Sequence, residues 1–136
     1  MILVDASVLI DIVVETSEWT GWSQSQLAAA SADGIAINVV IYAEIAPCFA
    51  RKTDLDEFLH DFAIRFLPIT DDAAYRASTA HQAYRDAGGQ RDATLPDFFI
   101  GAHACVSGLD LLTRDPKKIR TYFPQVTLIT AAIPDH

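Results

Sequence analysis

The chain has 136 residues, 51% of them hydrophobic, and a formal net charge of −8. That length suits one domain, residues 1–136, with a core of its own, and so large an apolar share excludes disorder. No apolar run approaches the roughly 18 residues of a membrane span, and no basic stretch precedes the first apolar run as a secretory leader requires, so the expected location is the cytoplasm.

In chain order, Ile2 to Val4 is a short apolar run suited to a buried parallel strand. Ser7 is expected to cap a first helix through Val8, Leu9, Ile12 and Val13, and a second helix is expected from about Ser17 to Ala30. Asp33-Gly34 marks a turn, and Ile35-Ala36-Ile37 reads as a second strand. Asn38 then caps a helix that carries Glu44, with Pro47 kinking or closing it. Thr53 to Ala63 has amphipathic helical spacing, and Thr53 with Asp56 resembles a capping pair. Ile64 to Ile69 reads as a third strand, with Pro68 near its end. Asp71-Asp72 opens a long helix to about Ala87, stopped by Gly88-Gly89. The stretch Gly88 to Thr94 reads as a mobile loop. Pro96 at the first helical position opens the helix carrying Asp97, which Gly108 ends. Leu109 to Thr113 is the fourth strand, Pro116 to Tyr122 a short helix, and Val126 to Thr130 the fifth strand. The alternation predicts an α/β fold with a mostly parallel sheet.

Four acids stand in apolar settings. Asp5 ends Met1-Ile2-Leu3-Val4, Glu44 interrupts Val39 to Ala46, Asp97 lies within Leu95 to Ile100, and Asp115 follows Leu111-Leu112-Thr113-Arg114. Each carboxylate there costs several kcal/mol unless paired, protonated or bound to a cation. Two of them about 4 Å apart repel by roughly 4 kcal/mol at an effective dielectric of 20. Basic residues in those segments are too few to neutralise all four, whereas a hard divalent cation would, and oxygen-only ligands favour Mg²⁺ or Mn²⁺. Ligands in open α/β sheets gather beyond the carboxyl ends of the strands, where Asp5 and Asp115 fall. The pattern points to a metal-dependent phosphodiesterase site.

Each acid also has a plain structural reading. Asp5 or Asp115 would serve as a helix cap, and Asp97 in a first turn favours the helix dipole. The Ser7 hydroxyl has a second use, holding a metal-bound water or an acid such as Asp115. Thr113 and Arg114 flank the site from the fourth strand, Arg114 either binding phosphate or pairing with a neighbouring acid. Arg114, Lys117, Lys118 and Arg120 gather near Asp115 and offset an overall acidity that predicts weak non-specific nucleic-acid binding. Cys48 and Cys105 read as buried free thiols, and His103 and Cys105, two apart on a helix, cannot share a metal. A phosphate loop of the Gly-x4-Gly-Lys type and a Gly-x-Ser-x-Gly elbow are both missing from the sequence.

The order Leu3-Val4-Asp5-Ala6-Ser7, Asn38 to Glu44, Leu95-Pro96-Asp97-Phe98-Phe99-Ile100-Gly101-Ala102 and Leu111-Leu112-Thr113-Arg114-Asp115 resembles a PIN domain, and within it the VapC-type toxins of bacterial toxin–antitoxin pairs. The resemblance covers nearly the whole chain. It implies a three-layer α/β/α fold around a parallel five-stranded sheet. It also implies an Mg²⁺- or Mn²⁺-dependent endoribonuclease, a homodimer, and a cognate antitoxin that covers the active-site groove. Asp5, Glu44, Asp97 and Asp115 match the family's acidic quartet, and Ser7 its polar position near the first Asp. Asp5 and Asp97 would hold the metal, with Glu44 and Asp115 acting through water. The rival expectations are a PIN-like nuclease acting on structured DNA and a binding module without activity.

Overall fold

Helices and short apolar strands alternate along the chain. The computed structural model describes residues 1–15, 18–89 and 93–131. Strand β1 (Ile2–Val4) is followed by α1 (Ala6–Val14) and α2 (Thr20–Ser31), and β2 (Ile35–Ile37) by α3 (Val39–Ile45), a 3-10 turn (Ala46–Cys48) and α4 (Lys52–Asp61). Strand β3 (Ile64–Phe66) leads to α5 (Asp71–Asp86) and α6 (Leu95–Ser107), and β4 (Asp110–Leu112) passes through α7 (Lys117–Tyr122) to β5 (Leu128–Ile129).

The five strands form one parallel sheet in the order β3-β2-β1-β4-β5. Such a sheet has helices on both faces, so its central strands must be apolar throughout. β1 obeys this: Ile2, Leu3 and Val4 are all buried. The edge strands β3 and β5 are more open, as edges should be. From β1 the chain builds outward through β2 and β3, then returns to the other side of β1 with β4 and β5. Right-handed crossovers therefore lay the connections of the two halves on opposite faces. The reversal lies between β1 and β4, paired Ile2 to Asp110, Leu3 to Leu111 and Val4 to Leu112. That is where an α/β sheet opens a crevice for ligands.

Several expectations need correction. Ser7 does not cap α1. The helix begins at Ala6, two residues too early for a Ser7 cap, and Asp5 is its extended N-cap residue. The Thr53–Asp56 pair does not cap α4, because that helix begins at Lys52 behind Arg51. Asp56 instead accepts hydrogen bonds from the Lys52 ammonium (2.6 Å) and the Tyr42 hydroxyl (2.7 Å). α5 does begin at Asp71 as expected, and Thr70 caps it, accepting from the Ala73 N–H at 3.2 Å. Pro96 is the second residue of α6, not the first. β3 stops at Phe66, two residues before Pro68, which has no N–H for the ladder. Cys48 and Cys105 are free but only half-buried.

Other expectations hold as written. Asn38 caps α3, its side-chain oxygen accepting from the Ile41 N–H at 3.0 Å. Gly108 closes α6 with φ +65°, a left-handed conformation that glycine adopts without penalty. The expected start of the second helix at Ser17, part of the Gly88 to Thr94 loop and the Lys118 side chain lie outside the described residues.

Candidate active site

The site is assembled where β1 and β4 end. The Asp5 N–H donates to the Leu112 carbonyl (2.9 Å), so the last bond of the β1–β4 ladder fixes the backbone of the acid itself. On β4's side, Thr113 is buried and its N–H donates to the Ile129 carbonyl of β5 (3.0 Å). Its hydroxyl donates to Asp5 Oδ2 at 2.7 Å and accepts from the Asp115 N–H at 3.0 Å. One hydroxyl thus ties two of the expected acids together. Ser7 donates to the same Asp5 oxygen at 3.0 Å, which is its role in place of the helix cap.

Burial pushes the Asp5 carboxyl above the usual range. The hydrogen bonds from Thr113, Ser7 and the Ala6 N–H pull the other way without winning, and the negative charge of Asp115 adds to the rise. Glu44 projects from the last turn of α3. Although much of its side chain meets solvent, lost hydration around the carboxyl, reinforced by the charges of Asp5 and Asp97, pushes its pKa up to about 7. In both residues lost hydration is the larger cause and the neighbouring carboxylates add to it. The Asp97 carboxylate turns back on its own helix start. Its Oδ2 accepts from the Thr94 N–H (2.7 Å) and the Thr94 hydroxyl (3.2 Å), the acid's part of a capping box. The helix-start reading of Asp97 is therefore realised, and it coexists with the residue's place in the site.

All four acids line one open pocket of about 650 Å³, together with Ser7, Arg114, Lys117 and an apolar floor that includes Phe98, Ile100, Leu111 and Phe123. Asp97 and Asp5 are half-buried, whereas Glu44 and Asp115 are exposed. The acids are therefore not embedded in the core, as the apolar sequence around them suggests; they edge a cavity whose walls are apolar. Among the described residues, no three acids, histidines or cysteines close on a common point as a formed metal cage does. The donor set still fits a hard divalent cation. It consists of carboxylate and hydroxyl oxygens, the ligands such an ion prefers.

A pH dependence follows for the protein free of divalent ions. The Glu44 carboxyl binds its proton more tightly folded, at about 7, than at its ordinary 4.5. Its contribution to stability is complete below about pH 4.5 and is lost as the pH rises through 7; Asp5 acts in the same direction. Melting in EDTA should therefore show stability falling across that window, and Glu44→Gln should flatten the fall. A Gln variant with the wild-type profile would assign the dependence elsewhere.

Two features escaped the sequence reading. Asp11 is only 2% exposed in α1. Its Oδ2 accepts from Arg114 Nε (2.8 Å) and from the Ser23 hydroxyl (2.9 Å). Arg114 therefore pairs with an acid, though not with one of the four. The signal was present: Asp11 interrupts Val8-Leu9-Ile10 and Ile12-Val13-Val14 just as Glu44 interrupts its own run. The second feature is a buried contact between the Asn38 amide nitrogen and His103 Nδ1 at 3.0 Å. Burial holds the His103 pKa down and so favours the neutral ring, whose Nδ1 accepts from the Asn38 amide in the tautomer that carries its proton on Nε2. This bond joins the N-terminal end of α3 to the middle of α6, the two helices that bring Glu44 and Asp97 to the pocket.

The PIN domain family model matches residues 2–124. Among solved structures, VapBC2 from Rickettsia felis bound to a promoter DNA fragment superposes with a TM-score of 0.72 at 15% identity, covering 96% of this chain and 99% of the other. FitAcB from Neisseria gonorrhoeae gives a TM-score of 0.69 at 18% identity, with 95% and 96% covered. A toxin–antitoxin complex from Klebsiella pneumoniae gives 0.68 at 23% identity, with 93% and 96% covered. No curated protein matches the chain.

Proposed function

Because the chain belongs to the PIN domain family, we propose that it is a divalent-metal-dependent endoribonuclease, the toxin of a VapC-type type II toxin–antitoxin pair. The observation that carries the proposal is the convergence of Asp5, Glu44, Asp97 and Asp115 on one pocket at the β1–β4 switch point. The likeness in fold to VapBC2 and to a toxin–antitoxin complex supports an antitoxin partner. Among the described residues no helix is long and apolar enough to cross a membrane. The reading extends to a cytoplasmic homodimer that its antitoxin holds in a hetero-oligomer.

In this reading Asp5 and Asp97 hold Mg²⁺ or Mn²⁺ directly, each carboxylate already anchored through Oδ2 by hydroxyl or amide donors. Anchoring by such neighbours keeps a ligand's rotamer fixed before the ion arrives. A bound divalent ion supplies a water of lowered pKa and positive charge against the scissile phosphate. Glu44 and Asp115, the more exposed pair, act through water to orient the nucleophile. Hydrolysis in line leaves a 5′-phosphate and a 3′-hydroxyl.

The test is a thermal melt in EDTA, Mg²⁺ or Mn²⁺, followed by an RNA-cleavage assay of protein freed of antitoxin. An ion at a hundred times its dissociation constant adds about 2.7 kcal/mol, so the wild-type melt should rise visibly and the Asp97→Asn melt should not. Absence of both a metal shift and cleavage would leave a binding module. Preferential cutting of structured DNA would move the substrate class.

A further inference from the structure

Arg114 lies at the rim of the acid pocket, held from two sides. Asp11 takes its Nε at 2.8 Å, and the ring of Trp19 lies with its centroid 5.9 Å from the guanidinium carbon. The holder is itself held, since the Asp11 carboxylate accepts from Ser23 at 2.9 Å and its backbone carbonyl accepts from the Thr20 hydroxyl at 2.9 Å. Asp11 is 2% exposed, while the Arg114 side chain is 29% exposed and faces the cavity. Binding a guanidinium through Nε fixes the plane in which its two terminal nitrogens point. A planar fork with fixed direction matches two oxygens of one phosphate.

Resting on the nuclease reading, we propose that Arg114 grips the phosphodiester backbone of the RNA strand entering the pocket, and that Asp11 is the positioning residue that aims it. A buried carboxylate is an odd neighbour for a phosphate-binding arginine if charge alone matters, because Asp11 cancels the charge of Arg114. It makes sense if direction matters. The two views predict opposite outcomes for Asp11→Asn. Deleting a negative charge beside the pocket should tighten phosphate binding if Asp11 merely offsets charge. It should weaken binding if Asp11 aims the fork.

The experiment is fluorescence anisotropy with a short labelled single-stranded RNA, Ca²⁺ replacing Mg²⁺ to hold turnover off, over a range of NaCl. Arg114→Gln should weaken binding about tenfold, the loss of one charge-assisted contact, and lower the slope of log affinity against log salt by about 0.7. Arg114→Lys keeps the charge but not the fork and should weaken binding similarly. Asp11→Asn should also bind more weakly, with its fold checked by melting. Wild-type affinity in Arg114→Lys, or equal or tighter binding in Asp11→Asn, would overturn the proposal. Arg114→Lys, a change at a partly exposed position, decides alone if Asp11→Asn fails to fold. Intact RNA cleavage alongside Arg114-independent binding would sink this inference and spare the nuclease reading. A wild-type protein that neither binds nor cuts RNA would sink both.

Discussion

Asp5→Asn will lower RNA cleavage by about 1000-fold or more, roughly 4 kcal/mol of barrier, in a protein that still folds. Asn keeps an oxygen to accept from Thr113 and Ser7, which now donate to Asp5 Oδ2 at 2.7 and 3.0 Å, so the β1–β4 junction retains its hydrogen bonds. What disappears is the negative charge that would hold the ion. That charge is unwelcome in the ion-free fold, where burial and the nearby Asp115 raise the proton affinity of the residue. In EDTA the variant should therefore melt no lower than wild type at neutral pH, and it should gain little from Mg²⁺ or Mn²⁺. Single-turnover cleavage paired with melts in EDTA and in metal reads both effects. Cleavage near the wild-type rate would remove Asp5 from the metal site, and a collapsed melt would make it a structural residue instead.

Gly101→Val should cost about 3 kcal/mol, at the upper end of the range for overfilling a packed core. Gly101 lies on α6 one turn after Asp97, on the side facing the α7 segment. A Cβ there would stand 2.4 and 2.6 Å from two ring carbons of Phe123 and 3.0 Å from Ile119 Cδ1. Phe123 is 1% exposed, edges the ring of Phe98 and lies beneath the Arg76 guanidinium, so it has little room to turn away. Helix propensity works the other way: Ala at this site gains about 1 kcal/mol over Gly, which partly masks the clash, and Val gains only about 0.3 kcal/mol. For a domain of this size the loss amounts to roughly 10 °C in melting temperature. Phe123 and Ile119 also line the pocket, so the displacement should reach activity as well. A Val variant that melts with wild type would mean that the ring yields.

Much of the fold was legible because parallel strands buried on both faces leave plain apolar runs, as Ile2-Leu3-Val4 and Ile35-Ala36-Ile37 do. Helix ends were harder. Ser7 and Thr53 have capping chemistry, yet Asp5 and Arg51 occupy the caps. Local preference offers several neighbours the same role, and tertiary packing selects among them. The acid quartet was legible for a different reason: a charge in an apolar run advertises a cost that something must offset. The same signal marked Asp11 and went unread, because its partner Arg114 lies 103 positions away. The bond between Asn38 and His103 was equally hidden, since nothing local to either residue names the other.

The clamp on the first acid has a temporal consequence. The Thr113 hydroxyl that secures Asp5 arrives 108 positions later in the chain, and Asp115 later still. A polypeptide emerging from the ribosome carries Asp5 and Glu44 for much of its synthesis, and Asp97 for its last stretch before residue 110, without β4 to receive them. Folding as a unit, it becomes a finished centre only once that strand slots in beside β1. Stalled or prematurely ended translation products lacking residues 110–115 would lack both the strand and the hydroxyl that fix Asp5. Chain topology alone therefore sets the assembly of this pocket among the last events of synthesis.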